Sequence, residues 1–277
     1  KEEIKKTFRD FDFFIGTDYS AAYLSKAKIR LDIYMPAGSD LFHYPFKKFN
    51  SRLPESWEID KVQCAKNQYF GIKNARNISM DYTDNLEMYL KKIGGKSNRV
   101  PVLPFQFIKN GQLFTLEQSL LKLNSNFTII QHSRQAWVYE KDNPHNKGND
   151  IFIKGFAKFA NNSANDVELV LLEYGEHIEQ SKKLIQGLGV QSIVKWIPKM
   201  HKDELMIYLM QADICVGNLN ASFLSYGSVY ESLAAKVAFM GYRKDELYIN
   251  NYKELYPMIN VSTPEQVAEQ LEYYYHN

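Results

Sequence analysis

The segment Ser225-Tyr226-Gly227-Ser228-Val229-Tyr230-Glu231-Ser232-Leu233-Ala234-Ala235 places a glycine where a loop meets a helix, after an apolar run that reads as a strand. Backbone amides at a helix start have no intrahelical acceptor, and with the helix dipole they attract phosphate. Gly227 has no Cβ to hold a phosphate away. Glu231, one turn into the helix, is a candidate acceptor for the two hydroxyls of a ribose. An ordinary helix with an exposed Glu has the same pattern, so its weight depends on what else converges there.

A second constellation is His132-Ser133-Arg134-Gln135-Ala136-Trp137, followed by Lys147-Gly148-Asn149-Asp150. Arg134 is expected just past the carboxyl end of a strand and Lys147 just before the next helix, both facing the crevice that holds Gly227. A guanidinium and an ammonium together neutralise a diphosphate and the charge growing on it as a leaving group. Two unrelated surface cations are the alternative. His132 either lines this cleft or is a hydrogen-bonded core or rim histidine. Asp10-Phe11-Asp12 has a metal-binding spacing but precedes a strand, so it reads as surface. The six histidines show no ligand spacing, and no metal is expected.

Alternating strands and helices must position these groups. Residues 127–130, 167–172, 192–197, 213–217 and 237–241 are apolar and β-branched, and read as strands. Helices are expected from Asp150, over 176–186 (stopped at Gly187), over 201–211, over 228–236 and from Thr263-Pro264-Glu265, where Thr caps, Pro opens the first turn and Glu meets the dipole. That alternation implies a parallel sheet covered on both faces, with ligands beyond the carboxyl ends of its strands. In the first half, 11–15, 31–35 and 100–103 read as strands and 20–28 and 80–93 as helices. This is α/β again, with few strands for a complete Rossmann domain, so an N-terminal portion is expected to be missing. The expected border lies near 115–127, giving domains 1–125 and 126–277.

Composition narrows the setting. The 277 residues are 45% hydrophobic and 24% charged, a folded-protein profile, and no run approaches the ~20 apolar residues of a membrane span. The charged start Lys1-Glu2-Glu3-Ile4-Lys5-Lys6, with no apolar run behind it, does not read as a signal peptide. Two distant cysteines, Cys64 and Cys215, give neither disulfide framework nor zinc spacing, and suggest a reducing, cytoplasmic setting. The net charge of +2 does not imply nucleic acid. Residues 1–125 nevertheless hold 20 Lys and Arg against 14 Asp and Glu, and 126–277 hold 14 against 18. A basic first half suits peripheral contact with an anionic membrane or a charged acceptor; a solvated surface is the plainer reading.

Taken in order, these segments resemble the C-terminal domain of retaining GT-B glycosyltransferases of the large bacterial polysaccharide-biosynthesis family (family 4-like, group 1). The basic pair matches Arg134 and Lys147, and the Lys-Gly-x-Asp helix start matches Lys147-Gly148-Asn149-Asp150. A strand with an acidic loop matches Leu169 to Glu173, and the Ala-Asp-strand matches Ala212 to Val216. The helix motif Gly-x-x-x-Glu-(Ala/Ser)-x-Ala-(Ala/Cys) matches Gly227 to Ala235. The resemblance covers roughly 127–275. It implies two Rossmann-like domains facing a cleft, with the N-terminal one truncated.

It also implies site roles. Glu231 would bind the ribose, the amides of Gly227, Ser228 and Val229 the phosphate, and Arg134 and Lys147 the diphosphate; the base would stack near Trp196 to Pro198, around Ile197. Pro36-Ala37-Gly38-Ser39-Asp40-Leu41 resembles a Gly-Ser-Asp segment that faces the interdomain cleft, where Asp40 could touch a donor or acceptor hydroxyl; a capped turn is the other reading. The family's second glutamate, eight positions before the helix Glu, is Phe223 here, and its first glycine-rich loop is not found.

The implied activity is transfer of a sugar from a nucleotide diphosphate sugar to a glycan or lipid-linked acceptor, with retention and without a cofactor. A non-catalytic nucleotide-sugar-binding or partner subunit is the main rival. A sugar-nucleotide epimerase would need carboxylates that are not found, and a dehydrogenase a Gly-x-Gly-x-x-Gly after a strand, which is absent.

Overall fold

The computed structural model describes residues 1–46, 56–79, 84–95, 98–100, 126–140, 143, 145–163 and 166–277. The chain separates into two compact units, Lys1–Leu103 and Pro104–Asn277. The expected border at 125/126 adjoins 101–125, which lies outside the described residues.

The first unit runs α1 (Glu2–Thr7), β1 (Ile15–Thr17), α2 (Ser20–Ala27), β2 (Ile33–Met35), α3 (Ser39–Phe42), α4 (Ser56–Asn74), β3 (Asn77–Ser79), α5 (Asp84–Ile93) and β4 (Asn98–Val100). Its strands form a parallel sheet in the order β1-β2-β3-β4. Tyr34, Leu41, Ile72, Ile78 and Ile93 fill its core. Helices α2 and α4 meet at Gly71, where a Cβ would lie 2.2 Å from the Ala21 carbonyl oxygen, so only glycine allows that approach. The strand expected over 11–15 is displaced: pairing starts at Ile15, and Phe11 and Phe13 are 61% and 59% exposed. The expected helix over 80–93 is α5 from Asp84; 80–83 lie outside the described residues, as do 101–103 of the expected strand 100–103.

The second unit contains β5 (Phe127–Gln131), α6 (Asn149–Ser163), β6 (Val167–Glu173), α7 (Ile178–Gly187), β7 (Val194–Pro198), α8 (Lys202–Leu209), β8 (Ile214–Val216), α9 (Gly227–Ala235), β9 (Ala238–Gly241), β10 (Ile259–Asn260) and α10 (Pro264–His276). Every described pairing is parallel, in the order β10-β9-β8-β5-β6-β7. Strand β5 is buried throughout, and its neighbours alternate between two apolar layers. Ile129, Leu169 and Leu171 face the layer of α6, α7 and α10; Ile130, Val170 and Ile197 face that of α8 and α9. Helix α10 opens as expected, with Thr263 accepting from the Gln266 amide and Pro264 in the first turn.

Numbered within the unit, this order is 6-5-4-1-2-3, the doubly wound Rossmann order. The winding reverses between β5 and β8, so loops diverge at their carboxyl ends and leave a crevice there.

Candidate nucleotide site at the strand reversal

Two loops form that crevice: 132–148, after β5, and 217–226, after β8. The first is fastened to the start of α6. The Asn149 side chain accepts from the Ala136 amide (3.0 Å), and the Lys147 amide donates to the Ala136 carbonyl (2.7 Å). Gly148, at φ +67°, brings the backbone against the second loop, where the Leu219 amide donates to the Lys147 carbonyl at 3.0 Å. A Cβ on Gly148 would sit 3.0 Å from the Asn220 nitrogen. The Lys-Gly-Asn sequence thus closes the first loop with two hydrogen bonds and ties it to the second with one. The second loop is held by tyrosines: Tyr226 Oη accepts from the Asn218 amide (3.1 Å), and Tyr256 Oη donates to the Leu224 carbonyl (2.9 Å).

The sequence-expected residues fall on this edge. Arg134 is three residues past β5, its guanidinium 3.2 Å from His145 Nδ1. Lys147 is half-buried; burial, then the charge of Arg134, pulls its pKa below the ordinary lysine value, and Glu176 opposes this. The two cations are therefore neighbours that repel, an arrangement that an anion between them would relieve. Gly227 opens α9, which has no side-chain cap and no acid in its first turn. The Val229 amide already donates to the Tyr226 carbonyl at 3.0 Å, which leaves Gly227 and Ser228 as the amides best placed to meet an anion.

Glu231 lies one turn below. It is 8% exposed, and its Oε1 would be 3.8 Å from a Cβ on Gly227. His132 Nε2, from the end of β5, lies 3.1 Å from Oε2, and Lys202 Nζ, from the first residue of α8, lies 3.2 Å from Oε1. The His132 contact is an ion-pair distance without hydrogen-bond alignment. Burial raises the Glu231 pKa, but His132 and Lys202 outweigh it and hold the carboxyl below its ordinary value. It is a buried, ionised acceptor.

Gln131, His132, Gln135 and Asn218, in or just after β5 and β8, carry buried side-chain polar atoms with no hydrogen-bond partner; of the four, His132 is the one beside Glu231. Among the described residues, most such atoms belong to these four, all at the carboxyl ends of β5 and β8. Buried polar groups are otherwise almost always paired, so this concentration marks where polar ligand atoms or water belong.

Other expected residues are placed differently. The Ile197 side chain belongs to the apolar core, so only its backbone reaches the sheet edge. Trp196 lies on the opposite face, under Lys182 at 5.4 Å. Asp40 belongs to the first unit and is 1% exposed. Its carboxylate accepts from the Ala37 amide (3.0 and 3.1 Å) and from the Tyr34 hydroxyl. Burial pushes its pKa up against those bonds. Its bonding is that of a buried turn cap. Phe223, where the resembled family carries glutamate, is 37% exposed and packs edge-on against Tyr226. Cys215 is a buried thiol whose pKa burial pushes up to about 12.

Lys202 was not anticipated. The signal was its position: a cation in the first turn of a helix opposes the dipole, so it needs an anion nearby. A separate cavity of about 700 Å³ lies at the amino ends of the first unit's strands, lined by Lys28, Arg30 and Lys73. Those cations sit around the C-terminal ends of α2 and α4, where the dipole favours them.

No protein-family model matches the chain, and no match to a curated protein is found. Its fold is nevertheless shared with solved structures. HepE of Anabaena in complex with UDP and glucose aligns with a TM-score of 0.57 at 14% identity, over 98% of this chain and 70% of that one. WaaG, a glycosyltransferase involved in lipopolysaccharide biosynthesis, aligns at 0.58 and 17%, over 100% and 72%. Sucrose-phosphate synthase of Thermosynechococcus elongatus aligns at 0.56 and 11%, over 100% and 68%. At such identities the likeness carries the fold, which is of the GT-B class with parallel-sheet α/β units. Among the described residues, no helix is long and apolar enough to cross a membrane.

Proposed function

We propose that this chain is a glycosyltransferase that binds a nucleotide diphosphate sugar at the strand reversal of its second unit and transfers the sugar to a glycan or lipid-linked acceptor. The observation that carries this is Glu231: a buried, ionised carboxylate one turn beneath an uncapped helix start, at the strand edge that also carries Arg134 and Lys147. A carboxylate accepts both hydroxyls of a ribose, and the amides of Gly227 and Ser228 reach the phosphates. When the bond between anomeric carbon and phosphate oxygen breaks, charge grows on the diphosphate. Lys147 and Arg134 stabilise that charge most where it is largest, so they lower the barrier rather than merely tighten binding. This device needs no metal. Retention of configuration, and a working place beside an anionic membrane, are carried into the proposal from the resemblance and from the basic first half. Support also comes from fold neighbours that include HepE in complex with UDP-glucose, at 14% identity.

A thermal-shift screen with UDP, GDP, ADP and their sugars tests the reading, followed by assay of sugar release. Stabilisation by one nucleoside diphosphate, with release of its sugar, is expected; no stabilisation by any removes the basis of the proposal. A second reading, a nucleotide-sugar-binding subunit without turnover, is favoured by one observation: exposed Phe223 stands where the resembled family places a carboxylate toward the donor sugar. Tight binding without turnover would select it.

A further inference from the structure

Resting on that nucleotide reading, we propose that His177 is a positioning residue for the two diphosphate cations: its unprotonated Nδ1 clamps the strip that carries Arg134 and seats Lys147. The strip is Arg134 to Val138, and it is held along both sides. On one side the Lys147 amide donates to the Ala136 carbonyl at 2.7 Å, and the Ala136 amide donates to Asn149 Oδ1 at 3.0 Å. On the other lies the turn between β6 and α7. There the Gln135 amide donates to the Tyr174 carbonyl (2.6 Å), and the His177 amide to the Gln135 carbonyl (2.9 Å). The His177 ring adds the last hold: Nδ1 stands 3.1 Å from the Trp137 nitrogen and 3.4 Å from the Val138 nitrogen. His177 is the N-cap of α7, where a side chain usually accepts from its own helix, yet its ring makes no such bond. It serves the strip instead. One residue thus grips the strip at 135 and at 137, on either side of the Ala136 carbonyl that fixes Lys147, and Arg134 adjoins the first grip.

A backbone amide only donates, so a ring nitrogen facing two of them must be the acceptor. His177 in this clamp therefore carries its hydrogen on Nε2. A proton added at Nδ1 sets N–H against N–H, and the grip at 137 opens. Histidine is the side chain whose charge ordinarily changes between about pH 5 and 8. The other groups around the ring keep their charge there. Tyr139 packs edge-on against the ring at 4.9 Å and donates its hydroxyl to Glu176. That bond pushes the Tyr139 pKa up and holds the Glu176 carboxyl below its ordinary value. Arg134, whose charge reaches Glu176, stays a cation. What opens is one hold among several. Trp137 Nε1 still donates to Ser181 Oγ at 2.9 Å, and Gln135 keeps both backbone bonds. Acid should therefore loosen the strip without unfolding it, and an arriving diphosphate must then order what His177 had held.

Calorimetry of wild type and His177→Phe with UDP, GDP and ADP, at about pH 8 and about pH 5.5, tests this. Phe keeps a ring against Tyr139 and removes the acceptor. At the higher pH, His177→Phe should bind the preferred diphosphate about 3- to 10-fold more weakly than wild type, the loss of one hydrogen bond. At the lower pH the two should bind alike, because wild type has lost the same bond. Titration of the ligand, of His132 and of His145 is common to both proteins and cancels in the comparison. A residue that only packs would leave a gap that does not close in acid, and a residue without a role would leave none. Either outcome overturns the inference and leaves the nucleotide reading intact. If His177→Phe does not fold, amide hydrogen exchange in wild type without ligand decides. Protection of the Trp137 amide should fall on acidification while that of the Gln135 amide is kept; equal behaviour of the two amides overturns the inference. Wild type that binds none of the three diphosphates overturns the nucleotide reading and this inference with it.

Discussion

Replacing Glu231 by Gln keeps the side-chain volume, removes the charge and turns one acceptor oxygen into a donor. Lys202 stands 3.2 Å from that oxygen, and on the proposed function a ribose hydroxyl bonds it as well. The amide cannot accept both hydroxyls, and its NH2 faces either a hydroxyl or the His132 ring, 3.1 Å from the other oxygen. One charge-assisted hydrogen bond is lost, about 1.5–3 kcal/mol, so Kd for the preferred nucleoside diphosphate should rise about 10- to 150-fold. Stability should fall by only about 1–2 kcal/mol, because Lys202 is largely in water while His132 is buried. The pH dependence has a definite sign. The folded pKa of Glu231 is depressed, so its contribution is complete above the ordinary glutamate value and is lost as pH falls through the depressed folded value. Glu231→Gln should lack that segment of acid destabilisation. Calorimetry with the ribonucleotide and its 2′,3′-dideoxy analogue isolates the ribose contact: the analogue should lose most of its affinity for wild type and little further for the variant. A folded Glu231→Gln protein that binds ribonucleotide as wild type does would refute the ribose assignment.

Lys147→Ala should weaken the diphosphate about 10-fold or more without unfolding, read by calorimetry. Because burial and Arg134 lower the Lys147 pKa, diphosphate affinity should fall with rising pH earlier than an ordinary lysine would allow, and Lys147→Arg should move that fall to higher pH. Gly148→Ala should cost about 1–3 kcal/mol in a denaturant melt, since it forces φ +67° on alanine and pushes a methyl against the Asn220 nitrogen. Asp40→Ala should destabilise the chain by about 1–3 kcal/mol, by orphaning the Ala37 amide and removing the carboxylate acceptor of the Tyr34 hydroxyl, and should leave nucleotide affinity unchanged by calorimetry.

The second unit was legible because its central strands β5, β6 and β8 are largely buried. Phe127–Ile130 and Leu169–Leu172 are short runs without a charged residue, and helix α10 carries an ordinary cap. The first unit was less so, for identifiable reasons. Its strands are three residues long, below the length at which periodicity separates strand from loop. Phe11 and Phe13 alternate as strand residues do, yet they face solvent. Helix α4 was missed altogether because its buried stripe, Ala65, Gln68 and Ile72, has a glutamine in the middle. Gln68 is fully buried because it accepts from the Ala22 amide and donates to the Asp18 and Asp40 carbonyls and the Tyr34 hydroxyl. No pattern of hydrophobicity reports such a polar hub.

The site divides along the same line. Arg134, Lys147 and Gly227 could be placed because the first lies just past β5 and the other two lie at the starts of α6 and α9, the helices that follow β5 and β8, and a doubly wound sheet brings strand carboxyl ends and the helix starts that follow them to one edge. Lys202 was not, because its role depends on a partner brought near by the crossover from β7 to α8. What sequence did offer was an electrostatic misfit, a lysine opening a helix ahead of Asp203 and Glu204. A misfit of this kind persists when something nearby offsets it. Here that is the Glu231 carboxylate, 3.2 Å from the Lys202 ammonium and contributed by another helix, so the residue least explained by local rules is explained only by the fold.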